Sequence, residues 1–255
     1  MRKDTSTVFI TGASVGIGAA CAEAFAQRGA RLVLCARGVE RLNALADQLR
    51  GAHGVPVHAF ALDVRDAEAV AEAVVALPDA YAEIDVLVNN AGLSRALDPA
   101  YANEVRHIDD MVDTNVKGLL YVTRAVVPGM LERGRGHVVN IGSTAGHEVY
   151  RGGTVYCATK HAVGAITRGL KMDLHGSPVR VSTVDPGLTE TDFSLVRFEG
   201  DAARADAVYA TTTPLQAEDI ADAVVYVVTR PAHVNVAEVI LTPVAQSSAS
   251  LIDRR

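Results

Sequence analysis

Thr7-Val-Phe-Ile-Thr-Gly-Ala-Ser-Val-Gly-Ile-Gly18 decides the fold. The run up to Thr11 shows no polar alternation and reads as a short buried strand, ended by Gly12. Ile17, Cys21, Ala24 and Phe25 then recur at helical spacing, and Gly29 closes that helix. Glycines between a strand and a helix let the backbone turn sharply and come close to a ligand, while the helix N-terminus offers free N–H donors to a pyrophosphate. The glycines stand at 12, 16 and 18. That is not the Gly-x-Gly-x-x-Gly spacing, and such a turn can also be a mere tight connection. The strand–loop–helix context favours a dinucleotide, held around Gly12, Ser14, Gly16, Ile17 and Gly18.

Outward from this unit the same alternation repeats. Apolar runs at 31–35, 55–61, 84–88, 137–141, 179–184 and 237–241 read as strands. Helical spacing marks 39–49, 67–77, 154–175, 217–229 and a long region of about 103–132 that carries Asn115 near its middle. Strands alternating with helices imply a parallel sheet, because each parallel connection needs a crossover. Strands apolar on both faces need cover on both. The expected fold is α/β: one domain over 1–255, a doubly wound, Rossmann-like parallel sheet with helices on both faces. Its ligand crevice belongs beyond the carboxyl ends of the strands, and Gly12, Arg37, Asp63, Asn89, Ser143 and Pro186 each follow a predicted strand. Irregular and helical pieces over 188–215 form the expected substrate side. The polar tail 245–255 has no core pattern and is read as frayed or docked on a neighbouring subunit.

Composition narrows the function classes. With 49% hydrophobic and 21% charged residues the chain suits a soluble globular core rather than a disordered one. A net charge of −6 argues against nucleic-acid binding, which needs basic patches, but leaves room for an anionic small molecule in a locally basic site. Cys21, Cys35 and Cys157 make an odd set without a CxxC pair, so a disulfide scaffold is not expected and a reducing compartment is. No apolar signal segment or membrane-length run is present, which makes the cytoplasm the expected location and a membrane partner unexpected. The eight histidines include no HExxH or paired Cys/His spacing, so no metal site is expected.

Ser143-Thr-Ala-Gly-His-Glu-Val-Tyr-Arg-Gly-Gly-Thr-Val-Tyr-Cys-Ala-Thr-Lys160 carries the chemistry. Tyr156 and Lys160 are one helical turn apart on the same face. A phenol titrates near ~10, and an ammonium one turn away is expected to lower that value. Ser143, delivered from a strand end, could hold a substrate carbonyl beside the phenol. By itself Tyr-x-x-x-Lys is also what an exposed helix face can show. Cys157 and His161 have the same spacing, but no third group supports a cysteine nucleophile, and Cys157 reads as packing.

Taken together, Thr-Gly-x-x-x-Gly-x-Gly at 11–18, Asn-Asn-Ala-Gly at 89–92, Asn115, Ser143, Tyr156-x-x-x-Lys160 and Pro186-Gly187 resemble the short-chain dehydrogenase/reductase family, in order and over nearly the whole chain. Within it, Asp113-Thr-Asn-Val-Lys-Gly-Leu-Leu-Tyr121, Asp173-Leu-His-Gly176, Phe193-Ser-Leu-Val-Arg-Phe198 and His233-Val-Asn235 are most similar to the bacterial NADP-dependent 3-hydroxy acid (serine) dehydrogenase and semialdehyde reductase group. The resemblance implies roles. Tyr156 is the acid/base, Lys160 holds the nicotinamide ribose and depresses the tyrosine's pKa, Ser143 binds the substrate oxygen, and Asn115 positions a water linking Lys160 to solvent. Asp63 and Val64 meet the adenine. Asn89, Ala91 and Gly92 border the adenosine, and Pro186, Gly187, Leu188, Thr189 and Thr191 hold the carboxamide. It also implies a homotetramer.

Cofactor choice has an independent handle. Sites that prefer NAD place an Asp or Glu ~20 residues past the glycine loop, on the ribose 2′-hydroxyl. Here the second strand ends Cys35-Ala-Arg37, and a guanidinium suits a 2′-phosphate, with Arg41 a weaker helper. NADP(H) is the expected cofactor. Arg95, Arg151 and Arg197 are candidates for an acid group on a small-molecule substrate, with Arg151 and Arg197 favoured by position. The expected reaction interconverts a small alcohol, such as a 3-hydroxy acid, with its aldehyde or ketone. The alternatives are a reductase of a larger apolar ketone and a catalytically silent dinucleotide sensor.

Overall fold

The computed structural model describes residues 6–254. The strands are β1 (Thr7–Thr11), β2 (Arg31–Ala36), β3 (Val57–Ala61), β4 (Val86–Asn89), β5 (His137–Ile141), β6 (Arg180–Pro186), β7 (Thr189–Glu190), β8 (Leu215–Gln216) and β9 (Glu238–Leu241). The helices are α1 (Gly16–Ala26), α2 (Val39–His53), α3 (Ala67–Val75), α4 (Asp79–Ala82), α5 (Val105–Val112), α6 (Leu119–Glu132), α7 (Thr154–Asp173), α8 (Phe193–Arg197), α9 (Ala202–Tyr209) and α10 (Ala217–Val228). Seven strands form one sheet in the order β3-β2-β1-β4-β5-β6-β9, every pair parallel. β7 and β8 pair separately. The expected doubly wound sheet is what the chain forms.

Strand period sorts the core onto two faces. Val8 and Ile10 of β1, with Leu32 and Leu34 of β2, pack in one cluster with Phe25 of α1, Leu42 and Leu49 of α2 and Ile220 and Val224 of α10. Phe9, Val33 and Leu87 point the other way, into a cluster with Val70 of α3 and Val122, Val126 and Met130 of α6. Local signals agree with the boundaries. Asp66 caps α3 by accepting from Glu68 and Ala69 N–H, Gln216 and Asp219 form a capping box on α10, and Gly54 ends α2 with φ +64°. The strand order reverses between β1 and β4, which places the crevice of a doubly wound sheet there, at the glycine loop.

The long helix expected over 103–132 is not continuous. Asp113–Gly118 forms a π turn between α5 and α6, and Asn115 sits in it. Gly118 ends that turn against Val64, whose side chain occupies the space a Cβ would need. A one-residue widening leaves the apolar period almost unchanged on either side, so spacing alone does not reveal it.

Candidate active site

The carboxyl ends of the strands enclose a cavity of about 590 Å³. On its floor the glycine loop is tied to the β4 end by reciprocal bonds. Thr11 Oγ1 accepts from the backbone N–H groups of Asn90 (3.1 Å) and Ala91 (3.0 Å). Asn90 Nδ2 donates to the carbonyls of Thr11 (2.9 Å) and Gly12 (3.0 Å). Gly12 and Gly16 adopt φ +63° and +56°, and a Cβ on Gly12 would stand 2.9 Å from the Ala91 Cα. Gly18 is buried and does not line the cavity; a Cβ there would strike the Gly12 carbonyl, so this glycine serves the close packing of helix on loop. Ser14, Ile17, Arg37, Asp63, Val64, Ala91, Gly92, Pro186, Gly187, Leu188, Thr189 and Thr191 all line the cavity.

Asn89 does not. It is 4% exposed, and its Nδ2 donates to Thr123 Oγ1 (3.0 Å) and Asn140 Oδ1 (2.9 Å) beneath the sheet. Period two explains the correction: Asn89 shares the face of Leu87, which is covered by α6, and Asn90 is the residue that reaches the loop. Asp63 lies in the cavity wall with its carboxylate held by Arg65 (2.6 Å), whose hydrogen bond keeps that carboxyl below its ordinary range.

Deeper in the cavity, Tyr156 is 8% and Lys160 7% exposed. Lys160 Nζ donates to the Ile141 carbonyl at the end of β5 (2.8 Å) and lies 5.9 Å from the Tyr156 ring centroid. Burial pushes the phenol well above its ordinary value, with Tyr150 adding to the rise and Arg197 and Ser143 opposing it. Burial also brings Lys160 down to about 8, against the pull of Asp185. The direction is opposite to the expected lowering: desolvation dominates, and the charge that opposes it is that of Arg197. Ser143 Oγ accepts from Ala145 N–H (3.1 Å) at the start of the loop between β5 and α7.

Asn115 commits its side chain to neighbouring structure. Its Oδ1 accepts from Leu93 N–H (2.8 Å), and its Nδ2 donates to the Leu93 carbonyl (2.8 Å) and Thr159 Oγ1 (3.0 Å). It thus clamps the segment after β4 to α7, beside Lys160. A Cβ on Gly92 would meet both the Asn115 oxygen (3.3 Å) and Lys160 Nζ (3.7 Å).

The candidate arginines separate clearly. Arg95 is spent on Asp110 (3.1 Å) and the Val196 carbonyl (2.8 Å). Arg151 is exposed and lines the cavity. Arg197 is half-buried in the cavity wall, its Cζ 5.6 Å from the Tyr156 ring and 5.0 Å from that of Phe193. Its Nη2 donates to Tyr150 OH at 3.4 Å, its Nε is buried without a partner, and no acid pairs with it among the described residues. Arg37 is exposed on the cavity wall, whereas Arg41 is paired with Asp192 (3.1 Å).

Cys157 packs as expected, and one further grouping lies outside any sequence pattern. His161 Nδ1 bonds the Cys157 carbonyl (2.9 Å), and burial raises the fully buried thiol, so the spacing forms no nucleophile–base pair. His147, Asp185 and Glu238 bring ligand-type atoms within 4.8 Å of one another, a grouping no spacing rule reveals. The 2.8 Å between His147 Nε2 and Asp185 Oδ2 is a hydrogen bond, and Thr183 Oγ1 donates to the other oxygen (2.5 Å).

The tail, expected to be frayed or docked on a neighbouring subunit, is ordered along its own chain's cavity as far as Arg254. Gln246 Oε1 accepts from Leu188 N–H (2.7 Å), and Arg254 donates to the carbonyls of Ala210 (2.9 Å) and Val208 (3.1 Å). Its attachments are to backbone groups and to the Glu148 carboxylate, which accepts from Ala249 N–H (2.8 Å), and they leave no apolar period to read.

Comparison with known proteins agrees with this geometry. The profile of the short chain dehydrogenase family matches residues 6–201. The NADP-dependent 3-hydroxy acid dehydrogenase YdfG of Salmonella typhi is 49% identical over 245 residues, 96% of this chain and 97% of that one. Sulfoacetaldehyde reductase 2 of Chromohalobacter salexigens is 47% identical over 249 residues, covering 97% and 98%. The closed form of a serine dehydrogenase complexed with NADP+ superposes with a TM-score of 0.92 at 45% identity, covering 98% of this chain and 99% of the other.

Proposed function

The chain belongs to the short-chain dehydrogenase family, and on that premise we propose that it is an NADP(H)-dependent oxidoreductase interconverting a small, acid-bearing alcohol with its aldehyde or ketone. The observation that carries the reading is Arg197, an unpaired guanidinium in the cavity wall 5.6 Å from the Tyr156 ring. A half-buried cation without a counter-ion suits a carboxylate or sulfonate placed beside the reacting carbonyl. A 3-hydroxy acid and sulfoacetaldehyde, named for the two relatives above, share that chemistry. A larger apolar ketone would leave the charge uncompensated. A silent sensor has no need of the intact Ser143, Tyr156 and Lys160.

The residues present fit the cofactor. Gly12, Ser14, Gly16 and Ile17 at the N-terminus of α1 would hold the pyrophosphate, in space that a Cβ on Gly12 would take. Arg37 would meet the 2′-phosphate, Asp63 and Val64 the adenine, and Ala91 and Gly92 the adenosine. Residues Pro186 to Thr191 would hold the carboxamide, and Tyr156 with Lys160 the nicotinamide ribose. NADPH, when bound, supplies the hydride. The chain supplies the rest. Ser143 holds the carbonyl oxygen, Arg197 anchors the acid group with Arg151 at the cavity mouth, and Tyr156 gives its proton to that oxygen. A phenol raised by burial keeps its proton at neutral pH, the form that carbonyl reduction uses. In the reverse direction the phenol must first lose it.

Exposed apolar residues on α5, α6 and α7, namely Val105, Leu120, Leu131 and Met172, support assembly as a homotetramer. Among the described residues no helix is long and apolar enough to cross a membrane, and the cytoplasm is the proposed compartment.

NADPH oxidation against a panel of semialdehydes, sulfoacetaldehyde and uncharged aldehydes of equal length tests the substrate class. Arg197→Ala should raise KM for the best acid substrate about tenfold or more and leave the uncharged aldehyde nearly unchanged; equal effects on both would contradict the anchor. Arg37→Asp should weaken kcat/KM with NADPH by about ten- to a hundredfold, with little loss for NADH, and an unaltered preference would remove Arg37 from the 2′-phosphate site. A monomeric mass by light scattering at assay concentration would refute the tetramer.

A further inference from the structure

One buried acid has no part in the chemistry described so far. Asp185 lies near the end of β6 and is 3% exposed. Its Oδ1 accepts from Thr183 Oγ1 (2.5 Å), and its Oδ2 is 2.8 Å from His147 Nε2. A carboxylate that is ionised only accepts, so this bond puts the imidazole proton on Nε2. His147 in turn reaches solvent and stands 3.8 Å from Glu238 Oε1 on β9. The carboxylate is pressed against the end of β5: a Cβ on Gly142 would occupy its space. The Lys160 ammonium lands on the preceding residue, at the Ile141 carbonyl. A buried anion and a buried cation thus converge on two consecutive residues of one strand end; among the described residues Asp185 is paired only with His147, and Lys160 has no acid within ion-pair distance.

A charge taken from water persists only when it is paired and hydrogen-bonded. The Ile141 carbonyl alone gives Lys160 one acceptor and no counter-charge. The groups facing Lys160 from the other elements are neutral: Tyr156 one turn back on α7, and Asn115 from the π turn across Gly92. Tyr150 and Arg197 act on Tyr156. We propose that Asp185 is a positioning residue whose carboxylate, fixed by Thr183 and His147, supplies the counter-charge that keeps Lys160 an ammonium inside the site. The proposal rests on the reading of Tyr156 and Lys160 as the working pair. In the same sense, Asp185 opposes the fall that burial imposes on Lys160. His147 also links the buried carboxylate by a hydrogen bond to the surface.

The chain has only four lysines, Lys3, Lys117, Lys160 and Lys171, so an NMR titration with ε-13C-lysine resolves Lys160, assigned by its loss in Lys160→Met. Asp185→Asn is isosteric and can keep both hydrogen bonds, its oxygen accepting from Thr183 and its amide donating to His147. Asp185→Ser is a second neutral variant should Asn fail to fold. In either, Lys160 should titrate on the order of one pH unit lower, and the alkaline limb of kcat for carbonyl reduction should move down with it. An unchanged Lys160 titration in a folded neutral variant overturns the proposal. The NMR readout needs no turnover, so a chain that reduces no carbonyl would sink the functional reading, while a shifted Lys160 would still support the counter-charge.

Discussion

The bond from Lys160 Nζ to the Ile141 carbonyl holds the site together, because it fixes the face of α7 against the end of β5. The other candidate site residues are placed relative to that contact. Tyr156 stands one turn earlier on the same helix, Ser143 follows Ile141 after a single glycine, and Asn115 clamps α7 from the other side through Thr159. A parallel sheet makes this possible, since all its strands stop at one edge and deliver their following residues to one cavity.

Close approach to that edge demands residues without side chains. Gly142 leaves room for the Asp185 carboxylate, and a Cβ on Gly146 would stand 2.8 Å from the Lys160 carbonyl oxygen. Gly152, at φ +77°, meets the Leu97 backbone. The glycines of the loop between β5 and α7 therefore set how tightly the helix carrying Tyr156 seats on the sheet. The same tightness strips water from the phenol and the ammonium and sets their proton affinities. Packing and electrostatics are one constraint here, because burial is what moves both groups.

Fold class was legible from the sequence because apolar strands and amphipathic helices alternate strictly, and the two core faces follow from period two. Strand ends were legible to within a few residues, which was enough to gather Gly12, Arg37, Asp63, Ser143 and Pro186 at one edge. What stayed hidden depends on direction or on single contacts. Asn89 and Asn90 are the same residue type at adjacent positions, and only the facing of Leu87 tells which one is buried. The π turn at Asn115 leaves the helical period intact on either side. The tail binds backbone groups and the Glu148 carboxylate, and the Asp185–His147 bond joins residues 38 apart, beyond any local pattern. The sign of the Tyr156 shift was missed because spacing shows the neighbouring charge and not the depth of burial. Position favours Arg197 over Arg95 in the sequence, but that Arg95 already has an acid and Arg197 has none is visible only in the fold.

The central claim is that the buried phenol of Tyr156 carries the proton at the mouth where the strands end. Turnover of Tyr156→Phe at saturating carbonyl and NADPH tests it most directly, paired with the Kd of NADPH for the same variant. The account predicts a fall in kcat of about 10²–10⁴-fold with cofactor affinity close to that of the parent. Undiminished turnover by the phenylalanine variant would contradict it.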